Sequence, residues 1–177
     1  MSFKFQNESN VPVNIAVSNG GVIYFHKNGL NPEQTWRCKP AWVWYDIMVF
    51  WSTPDNKIDP IKHNWTRIGA LSATTVGAAL AVGAIAFTGG AATPAVVVAG
   101  ASVAAGLAGV AFEVANAALN PAHLQALYGV DNYTIKITGG FDGHVDGRQV
   151  LTVSRIKPLE LHWRNKTSGS RGVVKAK

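Results

Sequence analysis

Five histidines, one cysteine and ten aspartates and glutamates are the side chains with which this chain of 177 residues could do covalent or metal chemistry. None stands at the spacing such chemistry requires. His26, His63, His123, His144 and His162 form no His-x-x-x-His pair and no Glu-flanked zinc pattern. Cys38 has no second cysteine to pair with and no nucleophile signature around it, so it reads as a buried thiol. Asp142-Gly143-His144-Val145-Asp146-Gly147 puts two carboxylates in a glycine-rich stretch, but the EF-hand spacing is missing and two turns account for the residues. No glycine-rich phosphate loop with a lysine follows a strand; the glycines from Gly100 to Gly109 fall inside a helical pattern. The chain is therefore expected not to be an enzyme and to use no metal or cofactor.

Recognition has better support. Trp36, Trp42, Trp44 and Trp51, four of the six tryptophans, fall within one short stretch. An indole offers a flat apolar face that stacks on a sugar ring, and an N–H that suits the lipid–water interface. In extended backbone the side chains alternate between faces. Trp42, Trp44, Met48 and Phe50 then share one face with Asp46, while Val43, Tyr45, Ile47, Val49 and Trp51 take the other. One apolar face belongs in a core. The second has to be covered by the rest of the chain, by a partner, or by a lipid or glycan surface. Trp42, Trp44, Tyr45 and Trp51 are the candidate lipid- or glycan-binding residues.

The segment that stands out most carries no ionisable group at all: from Ile68 to Phe112 there is neither a charge nor a histidine. Thr66 suits a helix N-cap, Gly89-Gly90 a helix end, and Thr93-Pro94 a second start. The pattern predicts two antiparallel helices, each long enough at ~1.5 Å per residue to span roughly 30 Å, a bilayer core. Small residues recur at every fourth position, Gly69, Ala73, Gly77 and Ala81 in one half and Gly100, Ala104 and Ala108 in the other. Such stripes let backbones approach closely, in lipid or in a soluble core alike. These seven are the candidate membrane-insertion or packing residues. Asn120-Pro121 repeats the start pattern and predicts a short helix over 122–128, closed by Gly129.

Strands flank this segment. Phe3 and Phe5, then Val13, Ile15 and Val17, alternate with polar neighbours, and Asn19-Gly20-Gly21 supplies a turn before Val22–Phe25. Tyr133, Ile135 and Ile137 alternate likewise, and Val150–Val153 and Leu159–Trp163 read as two further strands. The expected organisation is one domain: a first β region over 1–60, an inserted apolar helical hairpin over 61–120, a second β region over 121–163 and a basic tail over 164–177. The expected fold class is α+β, an antiparallel β-sandwich with a central inserted Ala/Gly-rich helical hairpin.

The formal net charge is +6, which favours anionic partners. The N-terminus shows no basic region followed by an apolar run, so no signal peptide is expected, and the protein is expected in the cytoplasm or released without one.

The basic charge, the tryptophan-rich strands and the run Asn7-Glu8-Ser9, Val13-Asn14-Ile15-Ala16-Val17, Tyr24 and Asn31-Pro32-Glu33 resemble the small β-sandwich cytolysins of the actinoporin and aegerolysin type, and the related fungal fruit-body lectins. The resemblance covers about the first third of the chain. It departs where actinoporins carry an amphipathic N-terminal helix, since this N-terminus reads as a strand. It implies lipid or glycan binding and oligomerisation at a membrane. The expected function is thus a membrane-active, cytolysin-like or defence protein that binds lipid or glycan and inserts its hairpin. The alternative is a lectin-like module whose hairpin is structural. A lipid membrane or a glycan is the expected partner, with self-association and without nucleic acid.

Overall fold

Alternating apolar residues set several of the strands, Ser2–Asn7 and the stretch that starts at Asn132 among them. The structure, a computed structural model, describes residues 1–52, 56–61, 84–86, 95–97, 121–145 and 150–176. Among the described residues there are eleven strands and no helix. They are β1 (Ser2–Asn7), β2 (Val13–Asn19), β3 (Val22–Leu30), β4 (Thr35–Cys38), β5 (Trp44–Trp51), β6 (Ala84–Ala86), β7 (Ala95–Val97), β8 (Ala122–Tyr128), β9 (Asn132–Val145), β10 (Val150–Asn165) and β11 (Arg171–Lys175).

The strands form two sheets. One runs β4-β1-β9-β10-β6-β7, with β11 also paired to β10; the other runs β3-β2-β5-β8. Every described pairing is antiparallel except β1 with β9, which is parallel. Phe3, Phe5, Ile135, Ile137, Leu159 and Leu161 of the first sheet meet Val13, Ile15, Val17, Tyr45, Ile47, Val49 and Leu124 of the second in one core. Burying each such side chain contributes about 1.5–3 kcal/mol, so this interior holds the two layers together. Between β2 and β3, Gly20 and Gly21 both take positive φ, 55° and 84°, as a two-residue hairpin loop demands.

The expected helical hairpin is not what the structure shows. Ala84–Ala86 and Ala95–Val97 are antiparallel strands, and β6 continues the first sheet by pairing with Val150 and Leu151 of β10. The β-branched residues Ile85, Val96 and Val97 suit a sheet, and the start of β10 supplies an edge for them. The candidate insertion residues Gly69, Ala73, Gly77, Ala81, Gly100, Ala104 and Ala108 lie outside the described residues.

The short helix expected over 122–128 is also replaced, by β8. Ala122, Leu124 and Leu127 are buried, so the segment turns an apolar row to the core while its backbone pairs with β5, and this pairing prevails over the Asn-Pro start pattern. Asp142-Gly143, expected as a turn, lies within β9. The two last strands of the second β region are one long strand, β10, which keeps Pro158 at a bulge between Lys157 and Glu160. The C-terminal basic stretch, expected as a solvated tail, returns as β11 along Glu160–Arg164. Asn165 Oδ1 accepts from Thr167 N at 2.8 Å and Ser168 N at 3.2 Å, closing the loop between them.

Candidate functional site

β5 carries a tryptophan at each terminus, and the two have opposite surroundings. Trp51 is buried, and its carbonyl accepts from Asn56 Nδ2 at 2.8 Å. Trp44 is 58% exposed. Seven residues of extended chain separate them, about 23 Å at ~3.3 Å per residue. Of the four candidate binding residues, the structure leaves Trp42 and Trp44 on the surface and buries Tyr45 and Trp51 in the core.

Tyr45 nonetheless serves the Trp44 end. Its ring packs edge-on against Phe3, with centroids 5.8 Å apart, while its hydroxyl accepts a hydrogen bond from Ala41 N at 3.0 Å. That bond anchors the stretch 41–43. Val43 N donates to Ala41 O at 2.9 Å, and Gly129 N donates to Val43 O at 2.8 Å. Glycine is required at 129, because a Cβ there would run into the Ala41 carbonyl oxygen and the Tyr45 ring. Asn19, just before the β2–β3 turn, donates from Nδ2 to Trp44 O at 2.6 Å. Trp44 stacks on Tyr128 with centroids 4.9 Å apart, tilted by 32°.

Several connections thus converge on one end of the sandwich. Val22 and Tyr24 of β3 join Trp42, Val43 and Trp44 there, and the five are between 38% and 71% exposed. Of the eight large hydrophobic side chains that are exposed among the described residues, these five gather at this end. Tyr24 also touches Tyr45 edge-on at 6.1 Å. The sequence pattern singled out Trp42 and Trp44 but missed Val22, Tyr24 and Tyr128. Only the pairing of β3 and β8 into the same sheet brings them close. The two glycines after Asn19 were the available hint, since a tight hairpin returns Val22 to Asn19.

A bulge sits beside the site. β8 has two residues, Gln125 and Ala126, opposite Asp46, and Ala126 takes a left-handed φ of 58°. Asp46 Oδ1 accepts from Ala126 N at 3.1 Å, which holds the bulge in place. On the same face burial pushes the His123 imidazolium pKa down, partly opposed by the charge of Asp46. Ala16, Ile23, Met48, Phe50 and Ile58 form a second buried cluster. The second apolar face of β5 is therefore covered at Met48 and Phe50 and open at Trp44.

No protein-family model matches this chain, and no curated protein or solved structure is significantly similar to it. Among the described residues no group of three His, Cys, Asp or Glu is placed to hold a metal. No helix among them is long and apolar enough to cross a membrane. What the site offers chemically is flat, exposed, apolar and aromatic surface on a rigid mount.

Proposed function

We propose that this protein binds membrane surfaces by placing the Trp44 end of its sandwich in the headgroup layer. The observation that carries the reading is the exposed group Val22, Tyr24, Trp42, Val43 and Trp44. Tryptophan and tyrosine concentrate at the lipid–water interface, where the ring meets acyl chain and the polar atom meets headgroup. Their mount supports this use. The loop and turn are tied to the core by Tyr45, Asn19 and Gly129, so little ordering entropy is lost on docking.

The magnitudes fit reversible docking. Three rings with a little over half of ~200 Å² each still open offer about 350 Å², or about 9 kcal/mol at ~25 cal/mol per Å². Lost translational and rotational freedom costs about 4–15 kcal/mol, so a gain of this size is of the order needed for weak, reversible association and not for tight binding. The balance supports association without requiring a membrane span.

Co-sedimentation with phosphatidylcholine vesicles, read alongside tryptophan emission, tests the reading. The expected result is vesicle-bound protein with blue-shifted emission, and at least a tenfold loss of partitioning in Trp42→Ala/Trp44→Ala. No sedimentation with either neutral or anionic vesicles would overturn it. A tryptophan-dependent glycan-array signal without vesicle binding would replace it with the lectin reading.

A further inference from the structure

The outer face of the first sheet carries a row of cations that the sequence does not show as a cluster. Phe3 and Phe5 point inward, so Lys4 points outward. Lys4 is paired across the sheet with Arg37 on one side and Thr134 on the other. Thr134 is paired with Arg164, and Arg164 with Arg171. Cross-strand partners share a face. Arg37, Lys4, Thr134, Arg164 and Arg171 therefore lie in one line over five strands, roughly 19 Å at ~4.8 Å per strand. Three of the four cations are exposed and Lys4 is half-buried. None is ion-paired with a described acid. The Thr134 hydroxyl, in the middle of the row, has no hydrogen-bond partner among the described residues.

The next rows are different. Lys136 meets Glu8 at 2.7 Å, and Glu160 takes both Lys175 at 2.8 Å and His162 at 3.3 Å. Charges there are spent on one another. The uncompensated row lies at one particular end: β4 leads through Lys39 to Trp42 and Trp44, and β8 leads from Tyr128 into the start of β9. Lys39 and Lys166, both exposed, add to it. Among the described residues the acids at this end are not ion-paired with Lys4, Arg37, Arg164 or Arg171: Asp131 accepts from Asn165 Nδ2 at 2.8 Å and Asp46 from Ala126 N. Aromatic surface on one sheet and unpaired cations on the other thus share the same end of the sandwich.

We infer that the row Arg37, Lys4, Arg164 and Arg171 selects anionic phospholipid surfaces. This rests on the membrane reading above and names the lipid class. Charge complementarity carries it: the row is an extended, solvent-facing strip of fixed positive charge with no described acid to neutralise it. A bilayer containing phosphatidylserine presents a matching sheet of negative charge to a protein docked end-on. The aromatic group supplies attachment to any bilayer, and the row supplies preference among bilayers.

The experiment compares phosphatidylcholine vesicles with vesicles holding one third phosphatidylserine, at low and at physiological salt. The variants are Lys4→Gln/Arg37→Gln/Arg164→Gln/Arg171→Gln, Trp42→Ala/Trp44→Ala, and a control, Lys57→Gln/Lys136→Gln/Lys157→Gln/Lys175→Gln, that removes equal charge from the rest of the surface. Thermal melting confirms that each is folded. Each basic side chain held at an anionic surface strengthens binding roughly fivefold, so the row variant should lose several hundredfold on the anionic vesicles. Its binding to neutral vesicles should stay unchanged, and the control should keep most of the anionic preference.

Equal anionic preference in the row variant and the wild type would overturn the inference while leaving the aromatic reading intact. Loss in the row variant with no effect of the tryptophan changes would do the reverse. Equal losses in the row variant and the control would show that net charge alone is responsible and would overturn it. So would binding to heparin or oligonucleotide in place of anionic vesicles.

Discussion

The two ends of the sandwich are built by the same strands and finished in opposite ways. At the Trp51 end, side-chain amides close the structure over the strand termini. Asn7 Nδ2 donates to the carbonyls of Val11 and Leu30, each at 2.8 Å, while its Oδ1 accepts from Ser9 N and Ser9 Oγ. Asn14 Nδ2 donates to Asn56 O and Asn56 Oδ1, and Asn28 exchanges two hydrogen bonds with the backbone of Ile58. Trp51 is buried beneath this cover. At the Trp44 end the buried tyrosine and the turn asparagine tie the backbone down but leave the rings outside. An end sealed with polar side chains spends its apolar residues on stability. An end braced from below keeps them for a partner.

Replacing the tryptophans at the two ends gives the largest contrast. Trp51→Ala should cost about 3–5 kcal/mol, since it empties a filled interior site. Trp42→Ala should stay within about 0.5 kcal/mol. Urea unfolding midpoints measure both, and similar losses at the two positions would break the comparison.

Cys38 reports whether the core is as dry below the Trp44 end as elsewhere. It is paired across from Phe3, and burial pushes its thiol up to about 12 from an ordinary 9.0. The folded chain therefore keeps a proton that the unfolded chain releases once the pH passes about 9. Its contribution is whole below that pH and lost as pH rises toward 12, by at most about 1.4 kcal/mol per pH unit. The difference in unfolding free energy between wild type and Cys38→Ala, followed from pH 8 upward, should show this slope. A flat difference would mean that water reaches the thiol.

The smallest expected effect concerns backbone strain, of which each end holds one instance among the described residues. Glu33 has φ 65° in the Asn31–Gln34 turn, and Ala126 has φ 58° in the β8 bulge. Left-handed backbone at a residue with a Cβ costs about 1–2 kcal/mol, partly offset by the entropy that glycine loses. Glu33→Gly and Ala126→Gly should each stabilise by about 0.5–1 kcal/mol in thermal melts. Vesicle binding should be unaffected by Glu33→Gly. A loss of stability in Ala126→Gly would show that the alanine methyl, rather than the Asp46 hydrogen bond, holds the bulge.

Much of the framework was legible from the residues. The alternation in β1 and at the start of β9 announces strands because one face is buried and the other is not. β2 alternates in residue type although both its faces are covered, Ala16 by the second cluster. Asn19-Gly20-Gly21 announces its hairpin because both turn positions need positive φ. β8 was not legible: Asn-Pro followed by Ala-His-Leu-Gln-Ala-Leu-Tyr suits a helix start as well as a strand. The open flank of β5 decides between them. β6 and β7 lie in an Ala/Gly-rich stretch whose periodicity fits helices, yet β10 supplies an edge to which it pairs. Alternation sets Trp44 on the Asp46 face of β5 and Trp51 on the uncharged face, but it does not say how far along the Asp46 face the cover over Met48 and Phe50 extends.

By itself the sequence determined the alternating strands, the tight β2–β3 turn, the uncharged central segment and the supply of tryptophan and positive charge, because each follows from local geometry and composition. Tertiary structure alone decided that the Asp46 face of β5 is covered at Met48 and Phe50 and left open at Trp44, and which cations stand in line. Lys4, Arg37, Arg164 and Arg171 come from four separate strands, and they become neighbours only through the hydrogen-bond register of the sheet. Slipping that register by one residue would turn every one of them to the opposite face.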